Sequence, residues 1–305
     1  MKDFSVCAGI VAHNPRAGDI SILIEKLLFC AQWVVIVDNC SSNIDYLKDL
    51  EKKPEITVIS NRENKGVSGG INQIIQYARE VEAKYVTTYD QDTQISKRLI
   101  GVLAADLEHL IESGESVAAI GPLVLDDFTD NILPFIHFKF PFNARYKSEL
   151  LGKSRLVECH FLISSGCLMS MAAVDEIGLM NEDLFIDNVD LDWCFRAISR
   201  SYKIYGDFGS VIRQRIGERC TQIPFTSLVI RHHNANRNYY MTRNRFWLYR
   251  QTYVNGAWVY HDIYRSVSKF LYLLIFGGGR FRLVKSSIKG IGDSFAMKPA
   301  RNDKQ

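Results

Sequence analysis

The chain has 305 residues, 47% of them hydrophobic and 23% charged, a composition that supports a sizeable core and excludes a disordered chain, a collagen-like repeat and a disulfide miniprotein. The net charge of +3 conceals an asymmetry: 17 basic and 29 acidic residues lie up to Phe195, and 20 basic and 5 acidic residues follow from Arg196, giving net charges of −12 and +15. The two parts therefore meet different partners.

In chain order, Ser5 to Val11 reads as a first strand, β-rich and closed by His13-Asn14-Pro15, without the apolar run of a signal peptide. Further short apolar runs at Trp33 to Val37, Ile56 to Ile59, Tyr85 to Tyr89 and Val117 to Ile120 read as strands. Between them, Asp19 to Ala31, Ile44 to Leu50, Gly70 to Ala83 and Lys97 to Ile111 carry helical spacing. Alternation of this kind specifies an α/β fold, a mostly parallel sheet with helices on both faces. Residues Leu125 to Arg155 are poorly periodic and rich in phenylalanine, which reads as a packed connection or acceptor-side wall. A short apolar segment at Leu162 to Met169, a helix from Val189 to Arg200 and a basic, mostly helical region from Tyr239 to Met297 complete the chain. The expected division is a catalytic domain over 1–238, with halves at about 1–125 and 126–238, followed by a basic helical region over 239–305.

Ligands of such sheets bind beyond the carboxyl ends of the strands. Asp38-Asn39-Cys40-Ser41-Ser42-Asn43 follows the second strand and Asp90-Gln91-Asp92-Thr93 follows the fourth, so both acidic groups lie on one edge. Asp90 and Asp92 repel each other unless a cation lies near them, and a divalent metal completed by a diphosphate is the natural one. The glycines of Asn64-Lys65-Gly66-Val67-Ser68-Gly69-Gly70 let backbone N–H groups approach a phosphate or sugar. A second acidic cluster, Asp187-Asn188-Val189-Asp190-Leu191-Asp192-Trp193, opens a helix. Capping uses one or two carboxylates, so a third is available to face a pocket as a general base.

These residues carry a resemblance. The strand ending at His13-Asn14-Pro15, VDNCSSN, NKGVSGGINQ, YDQDT, LISSGCLMS and FIDNVDLDWCFR resemble the inverting glycosyltransferases of family 2, nucleotide-sugar enzymes with the GT-A fold. HHNANRNYYMTRN resembles more narrowly the bacterial rhamnosyltransferase branch, which builds O-antigen and related surface polysaccharides. The resemblance runs from about Val6 to Asn244. It implies a nucleoside contact at Asp38, a nucleotide-sugar pocket at Asn64 and from Gly66 through Gly69 to Asn72, a metal (Mg2+ or Mn2+) at Asp92 with Asp90 at the ribose or a metal-bound water, and a catalytic base at Asp190. It implies dTDP-β-L-rhamnose as donor and a lipid-linked glycan as acceptor. One departure stands out: where the family often has a metal-binding histidine, VIRQRIGER has Gln214, a weaker and uncharged ligand. His232 or His233 is a candidate substitute for the metal or a phosphate contact, and Arg213 and Arg215 could add positive charge. Ser165 and Gly166 are candidates for the acceptor floor or else a tight turn, and Trp193 for packing or the acceptor wall. His13 is a base contact or an ordinary loop histidine.

From Ile263 to Ile291, aromatics and leucines alternate with Arg265, Lys269, Arg280, Arg282, Lys285 and Lys289 around Gly277-Gly278-Gly279. That pattern suits a helix pair on an anionic membrane, or a hairpin packed on the catalytic domain or on a second copy of the chain as a homo-oligomer. The longest apolar run, Phe270 to Phe276, is seven residues, against the roughly 20 that span a bilayer. Seven scattered cysteines without a C-x-x-C pair fit a reducing cytoplasm, so the expected location is the inner face of the plasma membrane. No base-reading motif accompanies the charge, so no nucleic-acid partner is expected. The rival enzyme class is a sugar nucleotidyltransferase, which should carry a Gly-rich cationic loop after the first strand; VAHNPRAGD fits that poorly.

Overall fold

The computed structural model describes residues 4–43, 50, 53–146, 155–215, 219–222, 229–232, 235–276 and 280–299. The chain opens with β1 (Val6–Ala12), α1 (Ala17–Cys30), β2 (Trp33–Asp38) and β3 (Ile56–Ser60). It continues through α2 (Gly66–Glu80), β4 (Tyr85–Asp90), α3 (Leu99–Glu112) and β5 (Val117–Asp126). Short strands β6 (Ile132–Leu133), β7 (Phe135–His137), β8 (Ala144–Tyr146), β9 (Leu156–Cys159) and β10 (Leu168–Ser170) precede α4 (Met171–Ile177) and α5 (Val189–Ser199). After β11 (Lys203–Gln214), β12 (Arg219–Gln222) and β13 (Val229–His232) come α6 (Ala235–Leu248), α7 (Gly256–Phe276) and α8 (Arg280–Ala296).

The main sheet has the order β3-β2-β1-β4-β10-β5-β11-β9, with β6 on β5. Pairs β1/β2, β1/β4, β2/β3 and β5/β11 are parallel, while β10 is antiparallel to both β4 and β5. The period-2 alternation of a strand divides the apolar side chains between two layers. Val6, Ala8 and Ile10 of β1 pack with Leu23, Leu27 and Leu103 of α1 and α3, whereas Cys7 joins Ile71 and Ile74 of α2. Gly9 lets α2 approach: a Cβ there would meet Ile74 at 2.4 Å.

The expected βαβ series is present, with three differences. The helix expected from Gly70 starts at Gly66, because its first free N–H groups are capped by a distant segment: Val67 N donates to Phe185 O at 2.7 Å and Ser68 N to the same oxygen at 3.4 Å. The strand expected to end at Ile120 runs on to Asp126, since β11 pairs with it along that length. Of the Leu162 to Met169 segment, the strand holds only Leu168–Ser170, beyond the turn at Gly166. The expected helix at Ile44 to Leu50 (apart from Leu50), the Gly277-Gly278-Gly279 turn and His233 lie outside the described residues. No helix among the described residues is long and apolar enough to cross a membrane. Helix α6 runs unbroken across residues 238 and 239.

Candidate active site

A cavity of about 700 Å3 opens at the carboxyl ends of β1, β4 and β11. From β1 and its loop come His13, Asn14 and Arg16; from the turn after β4 come Asp90, Gln91 and Asp92; from the end of β11 come Gln214 and Arg215. Asn39, Asn64 and Gly66 form a second side, and residues 185–190 with Arg237 form a third. Sequence-expected Asp90, Asp92, Asp190, Asn64, Gly66 and Gln214 thus share one cavity.

The polar frame is built by asparagines. Asn39 donates from Nδ2 to Gly66 O at 2.9 Å and to Asn64 Oδ1 at 3.0 Å, while its Oδ1 accepts from Lys65 N at 2.9 Å. Asn64 Oδ1 also accepts from Gly66 N at 2.8 Å. Gly66 is required here: its φ is +72°, and a Cβ would lie 2.3 Å from Phe185 O. His13 N donates to Gln91 Oε1 at 2.8 Å, tying the ends of β1 and β4 together.

The loop before α5 is unusual. Phe185, Asp187 and Asn188 all have φ near +60°, at 63°, 64° and 63°. Left-handed residues other than glycine need support from their surroundings, and α6 supplies it. Asn244 is fully buried and its Nδ2 lies 2.8 Å from each of the carbonyls of Leu184, Ile186 and Asp187. Arg237 holds the Asp187 carboxylate from Nη2 at 3.0 Å and Nε at 3.1 Å.

The carboxylates of the acidic clusters have different environments. Burial, then the charge of Asp92, pushes the Asp90 pKa up to about 6, against the pull of Arg237 and the Gln214 amide. Asp92 is also raised, first by burial, and is partly relieved by Arg215. Asp190 is pushed up to about 6 by burial, opposed by the N–H groups of Leu191 and Ser164 and reinforced by Asp187. Among the described residues Asp190 makes no ion pair. Asp192 faces inward: Arg196 Nε donates to it at 2.9 Å and the Tyr253 hydroxyl at 2.5 Å.

A divalent cation fits the first cluster. Two raised carboxylates, Asp90 and Asp92, line one cavity, and Gln214, whose Nε2 donates to Asp90, leaves a buried Oε1 with no hydrogen-bond partner among the described residues. All are hard oxygen donors of the kind Mg2+ or Mn2+ takes. Among the described residues no three His, Cys, Asp or Glu side chains converge, so the remaining coordination falls to ligand and water.

Other sequence-expected residues lie outside the cavity. Asp38 is turned into its own turn, accepting from the Ser41 amide at 3.1 Å and from the Ser41 hydroxyl, so its neighbour Asn39 is the residue that faces the ligand space. Asn72 is buried in α2, bonded to Met180 N at 2.8 Å and Met180 O at 3.0 Å. Gly69 faces the Lys65 side chain. Ser165 is buried behind the acidic turn, 2.7 Å from the Thr93 hydroxyl and accepting from Asp90 N, while Gly166 forms the tight turn at φ +78°; Ser164 takes their place on the cavity. Trp193 is packing, with Nε1 donating to Gly178 O at 3.1 Å. Arg213 points away, to Asp130 at 2.8 Å. The side chain of His232 lies outside the described residues.

Residues 27–178 match the family model described as Glycosyl transferase family 2. The chain belongs to glycosyltransferase family 2. The match takes in the acidic turn at Asp90 to Asp92 and ends before Asp190. The transferase is 28% identical over 252 residues to dTDP-rhamnosyl transferase RfbF of Shigella flexneri, covering 82% of this chain and 81% of that protein. It is 26% identical over 204 residues to the low-salt glycan biosynthesis hexosyltransferase Agl10 of Haloferax volcanii, covering 65% of this chain and 62% of that one. Among solved structures, Staphylococcus aureus TarS 1–349 in complex with UDP-GlcNAc is similar, with a TM-score of 0.59 at 15% identity over 95% of this chain and 80% of that one. GalNAc-T7 with UDP, GalNAc and Mn2+ gives a TM-score of 0.57 at 12% identity; 89% of the transferase matches, spanning 56% of that chain. The fold is GT-A.

Asn39, Arg237, Phe185 and Asn244 are site residues that motif spacing did not single out. Asn39 follows Asp38 in the same strand-end turn, so the same signal pointed one residue away. Arg237 and Asn244 lie in HHNANRNYYMTRN, but only the folded chain brings them to the 185–188 loop.

Proposed function

We propose that the transferase moves L-rhamnose from dTDP-β-L-rhamnose to a hydroxyl of a growing, lipid-linked surface glycan such as O-antigen, with inversion to an α linkage. One observation carries the chemistry: Asp190 shares a cavity with Asp90 and Asp92, makes no ion pair among the described residues and has its pKa pushed up to about 6. A carboxylate so placed is still ionised near neutral pH and avid for a proton. The choice of donor is supported by the relative named a dTDP-rhamnosyl transferase.

In the proposed step the acceptor hydroxyl attacks the anomeric carbon from the face opposite the leaving group. The new C–O bond forms as the bond to the diphosphate breaks, the hydroxyl proton passes to Asp190, and the electron pair leaves with the nucleoside diphosphate. Asn39, Asn64 and the backbone at Gly66 hold the nucleotide-sugar, and Arg215 and Arg237 oppose the negative charge that grows on the diphosphate. A divalent cation held by Asp92 and Asp90, with the Gln214 carbonyl oxygen added, would neutralise that diphosphate further.

Exposed apolar side chains on α7, such as Tyr264 and Leu271, and on α8, such as Phe281, support a peripheral position at the inner face of the plasma membrane. Flotation with anionic vesicles is expected to be lost when the chain is truncated after Asn255; unchanged flotation removes these helices as the anchor. The donor is tested by a panel of nucleotide-sugars scored for nucleoside diphosphate release with and without chelator. Release only from dTDP-rhamnose, abolished by chelator, is expected. Activity with another sugar alone overturns rhamnose, and indifference to chelator overturns the metal.

A further inference from the structure

A second cavity, about 420 Å3, lies between α6 and α8 and is lined chiefly by Tyr239, Tyr240, Arg282, Lys285, Ser286 and Lys289. Among the described residues no carboxylate lines it. The Lys289 ammonium sits 5.3 Å from the centre of the Tyr239 ring, and Asp293, one turn along α8, is engaged by the Tyr239 hydroxyl at 2.7 Å. Among the described residues none of Arg282, Lys285 and Lys289 pairs with a carboxylate. A concave surface with three such cations suits a multiply charged oxyanion such as a diphosphate.

Two further observations narrow the ligand. Helix α8 exposes Phe281 at 92%, Ile288 at 65% and Phe295 at 63%. Seven-residue steps keep these three on one face, and at about 100° per residue the cations fall together on its shoulder, between the apolar stripe and α6. The ligand best matched is therefore an anion with an apolar chain. The cavity also adjoins the active site: the Tyr240 ring stacks on Phe185 at 4.9 Å and 23°, and Phe185 lines the donor cavity. One aromatic pair forms the wall between them.

We propose that the α6–α8 cavity binds the diphosphate of a lipid-linked acceptor, with the lipid along Phe281, Ile288 and Phe295 and the acceptor sugar reaching past Phe185 to Asp190. It rests on the glycosyl-transfer function and lipid-linked acceptor proposed above and adds the place where that acceptor's diphosphate and lipid bind.

Farnesyl diphosphate, farnesol and inorganic diphosphate serve as probes, each titrated calorimetrically into the full chain with dTDP filling the donor cavity. Farnesyl diphosphate is expected to bind, with farnesol and inorganic diphosphate each at least about tenfold weaker, and the exposed pair K285Q/K289Q is expected to weaken it by at least about tenfold. Equal binding to the double variant overturns the site. Inorganic diphosphate binding as tightly as farnesyl diphosphate makes it a free-anion site and overturns the lipid. Farnesol binding as tightly removes the phosphate. Loss of binding to phosphatidylglycerol vesicles alone, with farnesyl diphosphate unaffected, assigns the face to bulk membrane and overturns the proposal. Failure of the chain to bind dTDP refutes the donor reading instead, and the farnesyl diphosphate titration, repeated without nucleotide, still tests the cavity.

Discussion

Asp90 at the end of β4 and Asp190 at the start of α5 line one cavity and both have pKa values near 6, yet they reach that value differently. Asp90 carries a second carboxylate two residues on, and its relief comes from positive charge and an amide donor: Arg237 and Gln214. Asp190 is raised by burial and relieved by the backbone N–H groups of Leu191 and Ser164. The first environment favours a cation, the second a proton. A strand-end turn concentrates two carboxylates, which suits a cation, whereas at the helix start Asp190 stands beside an open space and its neighbour Asp187 is held by Arg237. On the proposed function, opposed roles for chemically identical side chains follow from their neighbours.

The most severe way to break that contrast is Asp190→Asn, which keeps shape and removes the proton acceptor. Transfer is expected to fall by about 10²–10⁴-fold, with dTDP binding retained. Turnover near that of the parent enzyme would remove Asp190 from the role. The same variant carries a stability signature with a definite sign. Because the folded pKa is raised, the folded state holds the Asp190 proton more tightly than the unfolded chain between about pH 4 and pH 6. Stability from this group is therefore lost as pH rises through that window and stays lost above it. Asp190→Asn should melt higher than the parent at pH 7, and the gap should close toward pH 4, as thermal denaturation in each buffer will show.

A milder break uses pH alone. If Asp190 must be ionised, kcat/KM falls about tenfold per unit below its pKa, with an acid limb bending near 6. Asp187 raises Asp190, so Asp187→Asn should move that bend downward. A pH profile with no acid limb, or a bend moved upward, contradicts the assignment.

The support of the base is tested by Asn244→Ala. Three carbonyls of the left-handed loop would lose their buried donor, a cost of about 1–3 kcal/mol. A lowered melting temperature is expected, together with a fall in kcat larger than any change in the KM for donor. A fall in melting temperature alone would make Asn244 structural only.

How far the sequence revealed these contacts depends on their range. The ends of β1 to β4, the acidic turn after β4 and the start of α5 are local patterns, written in consecutive residues, and they stand within a residue of where spacing puts them. The start of α2 was not legible because its cap, the Phe185 carbonyl, is more than a hundred residues away. The surroundings of Asn72 are illegible for the same reason: its partner Met180 is more than a hundred residues away and meets it only in the folded chain. Asn244 gave no local sign, since its role consists of three tertiary hydrogen bonds.

Trp193 marks the lower limit of these effects. It sits three residues beyond Asp190, and that proximity made it a candidate for the acceptor wall. The two positions share a helix face, but the indole itself is buried, with its N–H on Gly178 O at 3.1 Å. Trp193→Phe would delete that hydrogen bond and open a small gap, a loss of about 1–2 kcal/mol. The expected outcome is a modest drop in melting temperature, with KM for acceptor unchanged and kcat close to the parent's. A rise in acceptor KM without a stability loss would return Trp193 to the acceptor wall. It would also mean that the first turn of α5 presents more to the substrate than the Asp190 carboxylate.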